Sequence, residues 1–154
     1  MRALQEAQRS NDHGRVFTVS IDNNVNKWKV KLLFNDKDER HFLQALQQKG
    51  YNDIELELTF GPEYPSKAPF VRCIYPIFQQ WTAHITLGGA VCHPLLFSPG
   101  WQSTIPISTL IQVIRLNILE GNPQLHPNQN LGQYNMSTAQ QARTRAARQH
   151  GWHT

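Results

Sequence analysis

A thiol at Cys92, imidazoles at His84 and His93, and a Gly88-Gly89 pair just ahead of the thiol bring reactive groups together in one short segment. A thiolate attacks carbonyl carbon well when its pKa is lowered or when the substrate is held against it. Glycines there let backbone approach a substrate closely. On these residues alone a second reading stands beside the reactive one, because a lone cysteine often serves as a small buried hydrophobe. Cys73, the other cysteine, falls on a predicted strand and is expected in the core. The two cysteines form neither a disulfide framework nor a Cys-x-x-Cys pair, so free thiols in an intracellular protein, cytoplasmic and/or nuclear, are expected.

The carboxylates limit what else the chain can do. Ten of its eleven Asp and Glu residues lie between Glu6 and Glu63, Glu120 is the other, and none occurs from Tyr64 to Leu119. A catalytic carboxylate pair or a calcium loop needs clustered carboxylate oxygens, so neither can come from that stretch. Chemistry in the middle of the chain falls to Cys, His, Ser, Thr and backbone groups. Asp53, Glu55 and Glu57 alternate with apolar residues and read as the wet face of a strand. No metal-binding or catalytic role is expected for these three carboxylates. With 15 Lys and Arg against 11 acids, the formal charge over 154 residues is +4. Arg143, Arg145 and Arg148 are too sparse for a nucleic-acid footprint and read as a solvated basic helix face. No apolar run reaches membrane-span length, and the N-terminus lacks a stretch of signal-peptide type.

The elements that must position Cys92 follow from periodicity. Residues 3–9 are expected as a short leading helix. Phe17, Val19 and Ile21, then Trp28, Val30, Leu32 and Phe34, alternate with polar residues around an Asp22-Asn23-Asn24 turn, which predicts an antiparallel hairpin. Phe42, Ala45 and Leu46 have helical spacing, Asp36 or Asp38 is a candidate cap, and Gly50 is a stop. Ile54, Leu56, Leu58 and Phe60 predict a third strand, and Phe70 to Tyr75 a fourth. Pro76 to Pro106 holds four prolines, three glycines and two tryptophans, a long loop of the kind that usually carries function. Ile107, Leu110, Ile111, Ile114 and Ile118 predict an amphipathic helix capped by Ser108 and ended by Gly121. A last helix starts at Ser137 or Thr138, lines one face with Ala139, Ala142 and Ala146, and ends at Gly151. Strands first and helices later indicate an α+β fold in a single domain over residues 1–154.

Taken in order, the motifs resemble the ubiquitin-conjugating (UBC) enzyme family over residues 3–152. Tyr64-Pro65-Ser66-Lys67-Ala68-Pro69 is similar to the family's Tyr-Pro-x-x-Pro-Pro turn between the third and fourth strands. Gly88-Gly89-Ala90-Val91-Cys92 resembles the glycine and active cysteine. Trp101, nine residues on, resembles the family tryptophan, and Ile107-Ser108 and Asn122-Pro123 fit around the following helix. The Q-type branch is resembled most. The matching features are a helix over His41 to Lys49, Leu87 to Cys92, Gly100-Trp101-Gln102-Ser103, Gln133-Tyr134-Asn135, Ala139-Gln140-Gln141 and the ending Gly151-Trp152-His153-Thr154. Members of that branch often carry a long N-terminal extension. The resemblance implies the UBC fold: a leading helix, a four-stranded antiparallel meander, a long active-site loop and C-terminal helices.

It also implies a mechanism. Cys92 takes ubiquitin or a related modifier from an activating enzyme as a thioester. It then passes the modifier to an acceptor amine, usually a lysine, often guided by a ligase and with no cofactor in the transfer. Most members carry His-Pro-Asn about ten residues before the cysteine. Here that region reads Thr82-Ala83-His84-Ile85-Thr86, as the Q-type branch also lacks the tripeptide. Thr86 or a backbone N–H is then the candidate oxyanion or loop support, because an oxyanion needs a fixed donor rather than a particular side chain. His84 is expected to brace the loop. His126, in a literal His126-Pro127-Asn128 lying 34 residues after Cys92, is a candidate for orienting the acceptor. Ser66, Lys67 and Ala68, with Gln102, Ser103 and Thr104, occupy the loops that contact activating enzymes and ligases in the family. Ser66 replaces a common aromatic residue and Gln102-Ser103-Thr104 a common Ser-Pro-Ala. Less apolar surface implies an unusual ligase set, since interface anchors are usually aromatic or aliphatic. The rival readings are an inactive UBC-fold adaptor that binds ubiquitin or a partner, and a small basic nucleic-acid binder.

Overall fold

Alternating residues fold into the predicted meander. In the computed structural model, which describes residues 16–154, strands β1 (Phe17–Ile21), β2 (Lys27–Leu32), β3 (Ile54–Thr59) and β4 (Phe70–Tyr75) pair antiparallel in chain order. The helix expected over residues 3–9 lies outside the described residues. Register sets Val19 opposite Val30, Val30 opposite Leu56 and Leu56 opposite Cys73, so one apolar row crosses the sheet on its inner face. Lys27, Lys29 and Lys31 point outward and are exposed. In the first turn, the Asn24 carbonyl accepts the Lys27 N–H at 3.0 Å and Asn24 Oδ1 accepts the Asn26 N–H at 2.9 Å.

The wet face expected for β3 fails at Glu57, which is buried. Arg72 lies across from it on β4; its Nε donates to Glu57 Oε1 at 3.0 Å and its Nη1 to the Tyr134 carbonyl at 3.0 Å. A segment 62 residues further along the chain thus covers this end of the outer face.

Helix α1 (Arg40–Gln48) follows a single tight turn at Lys37–Glu39, buries Phe42 and Leu46, and ends before Gly50 at φ +87°. Helix α2 (Ile107–Glu120) buries Leu110, Ile111, Ile114 and Ile118 completely in the same core as the sheet's inner face. Each such side chain contributes roughly 1.5–3 kcal/mol relative to exposure. The residue that starts α2 is Pro106 and not Ser108. Its backbone is extended and its carbonyl accepts the Leu110 N–H at 3.1 Å, which leaves Ser108 buried inside the first turn. Helix α3 (Met136–His150) likewise starts ahead of Ser137 and Thr138, because Asn135 Oδ1 accepts the Thr138 N–H at 2.9 Å and acts as the cap. Gly151 ends α3 in the left-handed region at φ +69°.

Candidate active site

The segment around Cys92 is a second, irregular hairpin laid along β4. Val91 donates to the Val71 carbonyl at 3.1 Å, and Cys73 donates back to Gly89 at 2.8 Å. Within the hairpin, Ile85 bridges Val91, Thr86 donates to the Ala90 carbonyl at 2.9 Å, and the Cys92 N–H donates to the His84 carbonyl at 2.9 Å. Gly88 and Gly89 form its tip. Gly89 has φ +96°, and a Cβ there would meet the Tyr134 ring. The approach to the hairpin is strained: Trp81, Ala83 and His84 hold φ of +68°, +62° and +53°. Such conformations cost a non-glycine residue about 1–3 kcal/mol and collect at functional sites.

Two helices fix this hairpin from below and beside. From α2, Asn117 Nδ2 donates to the Cys92 carbonyl at 3.2 Å. Just past α2, the Gly121 carbonyl accepts the Ala83 N–H at 2.8 Å, and a Cβ on Gly121 would lie 2.7 Å from the Ala83 carbonyl carbon. Gly121 therefore serves close approach, not a left-handed turn. From α3, the first turn packs against Gly88, where Thr138 Oγ1 donates to the Gly88 carbonyl at 3.3 Å.

Between hairpin and α3 lies a cleft of about 400 Å³. His84, Thr86 and Cys92 line one side, and Arg145, Gln149 and His150 are among the residues on the other. Cys92 is half-buried. Burial pushes its thiol pKa above the ordinary range. His93 is pulled down, chiefly by burial and then by the charge of His84, against the opposing pull of Glu120. Its Nδ1 accepts the Leu95 N–H at 3.1 Å, so that nitrogen is occupied as an acceptor. Thr86 Oγ1 is buried and has no hydrogen-bond partner among the described residues.

The structure brings Cys92, His84 and Thr86 together, and His84 supports the thiol's backbone through its carbonyl. His126 does not line the cleft; its ring accepts the Asn128 N–H at 3.1 Å within its own loop. Cys73 is fully buried in the core, as expected, and burial raises its thiol pKa strongly. Ser66 and Lys67 are exposed, with Ala68 half-buried, and Gln102, Ser103 and Thr104 are exposed. These two loops sit side by side: Trp101 Nε1 donates to the Pro65 carbonyl at 2.8 Å, and Lys67 pairs with Glu63 at 3.0 Å. Sequence reasoning missed Asn117 and the α3 wall. The alanine stripe of α3 signalled close packing without saying what it packs against. Among the described residues no group of three or more His, Cys, Asp or Glu could hold a metal ion, and no helix is long and apolar enough to cross a membrane.

Known proteins of this architecture agree. A family model described as ubiquitin-conjugating enzyme matches residues 1–150. Ubiquitin-conjugating enzyme E2 Q1 of Homo sapiens is 30% identical over 162 residues, an alignment covering 100% of this chain and 38% of that protein. Ubiquitin-conjugating enzyme E2 25 of Caenorhabditis elegans is 28% identical over 165 residues, 100% of this chain and 42% of that one. The chain therefore spans less than half the length of these two relatives. Among solved structures, human ubiquitin-conjugating enzyme E2 G1 superposes with a TM-score of 0.58 at 20% identity, covering 77% of this chain and 90% of that chain. A Plasmodium vivax ubiquitin-conjugating enzyme E2 gives 0.55 at 21% identity, covering 77% and 99%. At those identities the superpositions speak for the fold, while the matched family model carries the assignment: this chain belongs to the ubiquitin-conjugating enzyme family.

Proposed function

We propose that the chain is a ubiquitin-conjugating enzyme that carries ubiquitin or a related modifier as a thioester on Cys92. The observation that carries this reading is a half-buried cysteine opening onto a cleft, held by backbone bonds from the hairpin and by Asn117, within a UBC fold. The Cys92 thiolate attacks the carbonyl carbon of the thioester on an activating enzyme, and the enzyme's thiolate leaves. An acceptor amine then attacks the new thioester, gives up its proton, and expels the Cys92 thiolate. Each attack places negative charge on a carbonyl oxygen, and Thr86, which lines the cleft, or a backbone N–H of the hairpin is the candidate donor to it.

The raised thiol pKa fits a carrier. A thiolate of higher pKa is the poorer leaving group, so the loaded thioester resists adventitious attack until an acceptor is positioned. With no carboxylate among the described residues that line the cleft, positioning and desolvation must lower the acceptor's proton affinity. His126 takes no part in this proposal. Activating enzyme and ligase dock on the paired loops Ser66–Ala68 and Gln102–Thr104, whose polar surface suits a restricted ligase set. This chemistry belongs in the cytoplasm or nucleus, where free thiols persist. Incubation with activating enzyme, ubiquitin and ATP should give a thiol-sensitive adduct that is lost in Cys92→Ala. If a folded protein forms none with any modifier, the enzyme reading fails, and pull-downs decide between the inactive adaptor and the nucleic-acid binder.

A further inference from the structure

The cleft beside Cys92 has a charge character that the thioester chemistry does not use. Its α3 wall presents Arg145, Gln149 and His150, and His84 faces them from the hairpin side. Among the described residues, no Asp or Glu lines it. The ion pairs among the described residues are Lys29–Asp22, Lys67–Glu63, Arg72–Glu57 and Arg115–Glu39, so Arg145 enters none of them. Arg145 is exposed. His150 is held in place by stacking on Trp152, with ring centroids 4.2 Å apart. Trp81, which also lines the cleft, is 89% exposed and offers it an apolar surface.

A guanidinium in a carboxylate-free recess favours an anionic partner, and a fixed fork of N–H donors suits carboxylates. We propose that Arg145, seconded by the two histidines, makes this cleft select acceptor segments that carry Asp or Glu next to the receiving nucleophile. The occupant is the acceptor polypeptide, and the proposal rests on Cys92 being the thioester carrier. Arg145 is a specificity residue here; it bonds the acceptor's flanking carboxylates and not the reacting atoms.

The test uses three matched lysine peptides whose flanking residues are Glu, Gln or Lys. Discharge of ubiquitin is followed in a single turnover from thioester already formed on Cys92, so that loading does not enter the rate. Binding of the same peptides to the Cys92→Ala protein is measured in parallel by the indole N–H shift of Trp81. A partly exposed ion pair predicts about a fivefold preference for the Glu peptide over the Gln peptide at low salt, shrinking as salt screens it. Arg145→Gln should remove the preference, and Arg145→Glu should invert it toward the Lys peptide. Arg148→Gln, an exposed arginine of α3 that does not line the cleft, should keep it. Equal discharge of all three peptides, or a preference that survives Arg145→Gln, overturns the proposal. If no thioester forms at all yet the Glu peptide binds through Arg145, the carrier reading fails while the charge selectivity of the cleft stands.

Discussion

Gly88→Ala tests the contact that forms the cleft. A Cβ at Gly88 would lie 2.3 Å from the Thr138 carbonyl oxygen and 2.9 Å from Ala142 Cβ, about 1 Å and 0.5 Å inside the 3.4 Å at which ordinary contact begins. The atoms it meets are helix backbone and a methyl group, neither of which can swing aside, so the first turn of α3 must back away from the hairpin. Overpacking of this kind costs about 1–3 kcal/mol. Losing the Thr138 hydroxyl bond to the Gly88 carbonyl adds about 0.5–1.5 kcal/mol. Alanine returns about 0.4–1 kcal/mol by narrowing the unfolded ensemble. The net loss is then about 1–3 kcal/mol, or roughly 3–10 °C in Tm for a domain of this size. Gly61→Ala is the control, since nothing lies within 4 Å of a Cβ there. Urea titration by tryptophan fluorescence gives the stabilities, and iodoacetamide labelling of Cys92 reports the opened wall as a faster rate. If Gly88→Ala matches Gly61→Ala within about 0.5 kcal/mol and labels at the wild-type rate, α3 does not close the cleft as described.

Two further outcomes follow from buried groups. Because burial raises the Cys92 pKa, its thiolate fills only above the usual thiol range; labelling by iodoacetamide should climb about tenfold per pH unit from about 7 to 8.5 without a plateau. A plateau near neutrality, read by mass spectrometry of the labelled peptide, would mean a stabilised thiolate and contradict the desolvated site. Arg115 is buried, pairs with Glu39, donates to the Leu33 carbonyl at 2.9 Å, and sits 4.9 Å over the Phe34 ring. Arg115→Met should cost about 3–5 kcal/mol in urea unfolding by leaving Glu39 alone, and adding Glu39→Gln should recover part of that loss. Equal losses in the single and double variants would refute the charge account.

The sheet was legible in the sequence because alternation is a local signal: Val19, Val30, Leu56 and Cys73 had to face one side together. Cys92 stood out as a candidate because a thiol in a glycine-bearing loop is chemically conspicuous, and its place beside the cleft keeps it one. Glu57 misled because Arg72 and the Tyr134 segment cover it from far along the chain. Ser108 and Thr138 misled because neighbours compete for the cap, and Pro106 and Asn135 hold it. The cleft itself was not legible. It needs Gly88 to admit α3, and the alanine stripe fixes no partner, so Arg145 could be read only as one of three solvated cations. Asn117 stayed hidden for a similar reason, being a polar residue late in an amphipathic helix whose partner is a distant carbonyl.

In the proposed mechanism the atom receiving the modifier is Sγ of Cys92. Its most direct measurement replaces that sulfur with oxygen. Cys92→Ser, incubated with activating enzyme, ubiquitin and ATP, should form an adduct that survives thiol, is cleaved by hydroxide, and maps to residue 92 by peptide mass. The wild-type adduct should instead be thiol-labile at the same position. An adduct at any other residue, or a thiol-labile adduct that persists in Cys92→Ser, would contradict the account.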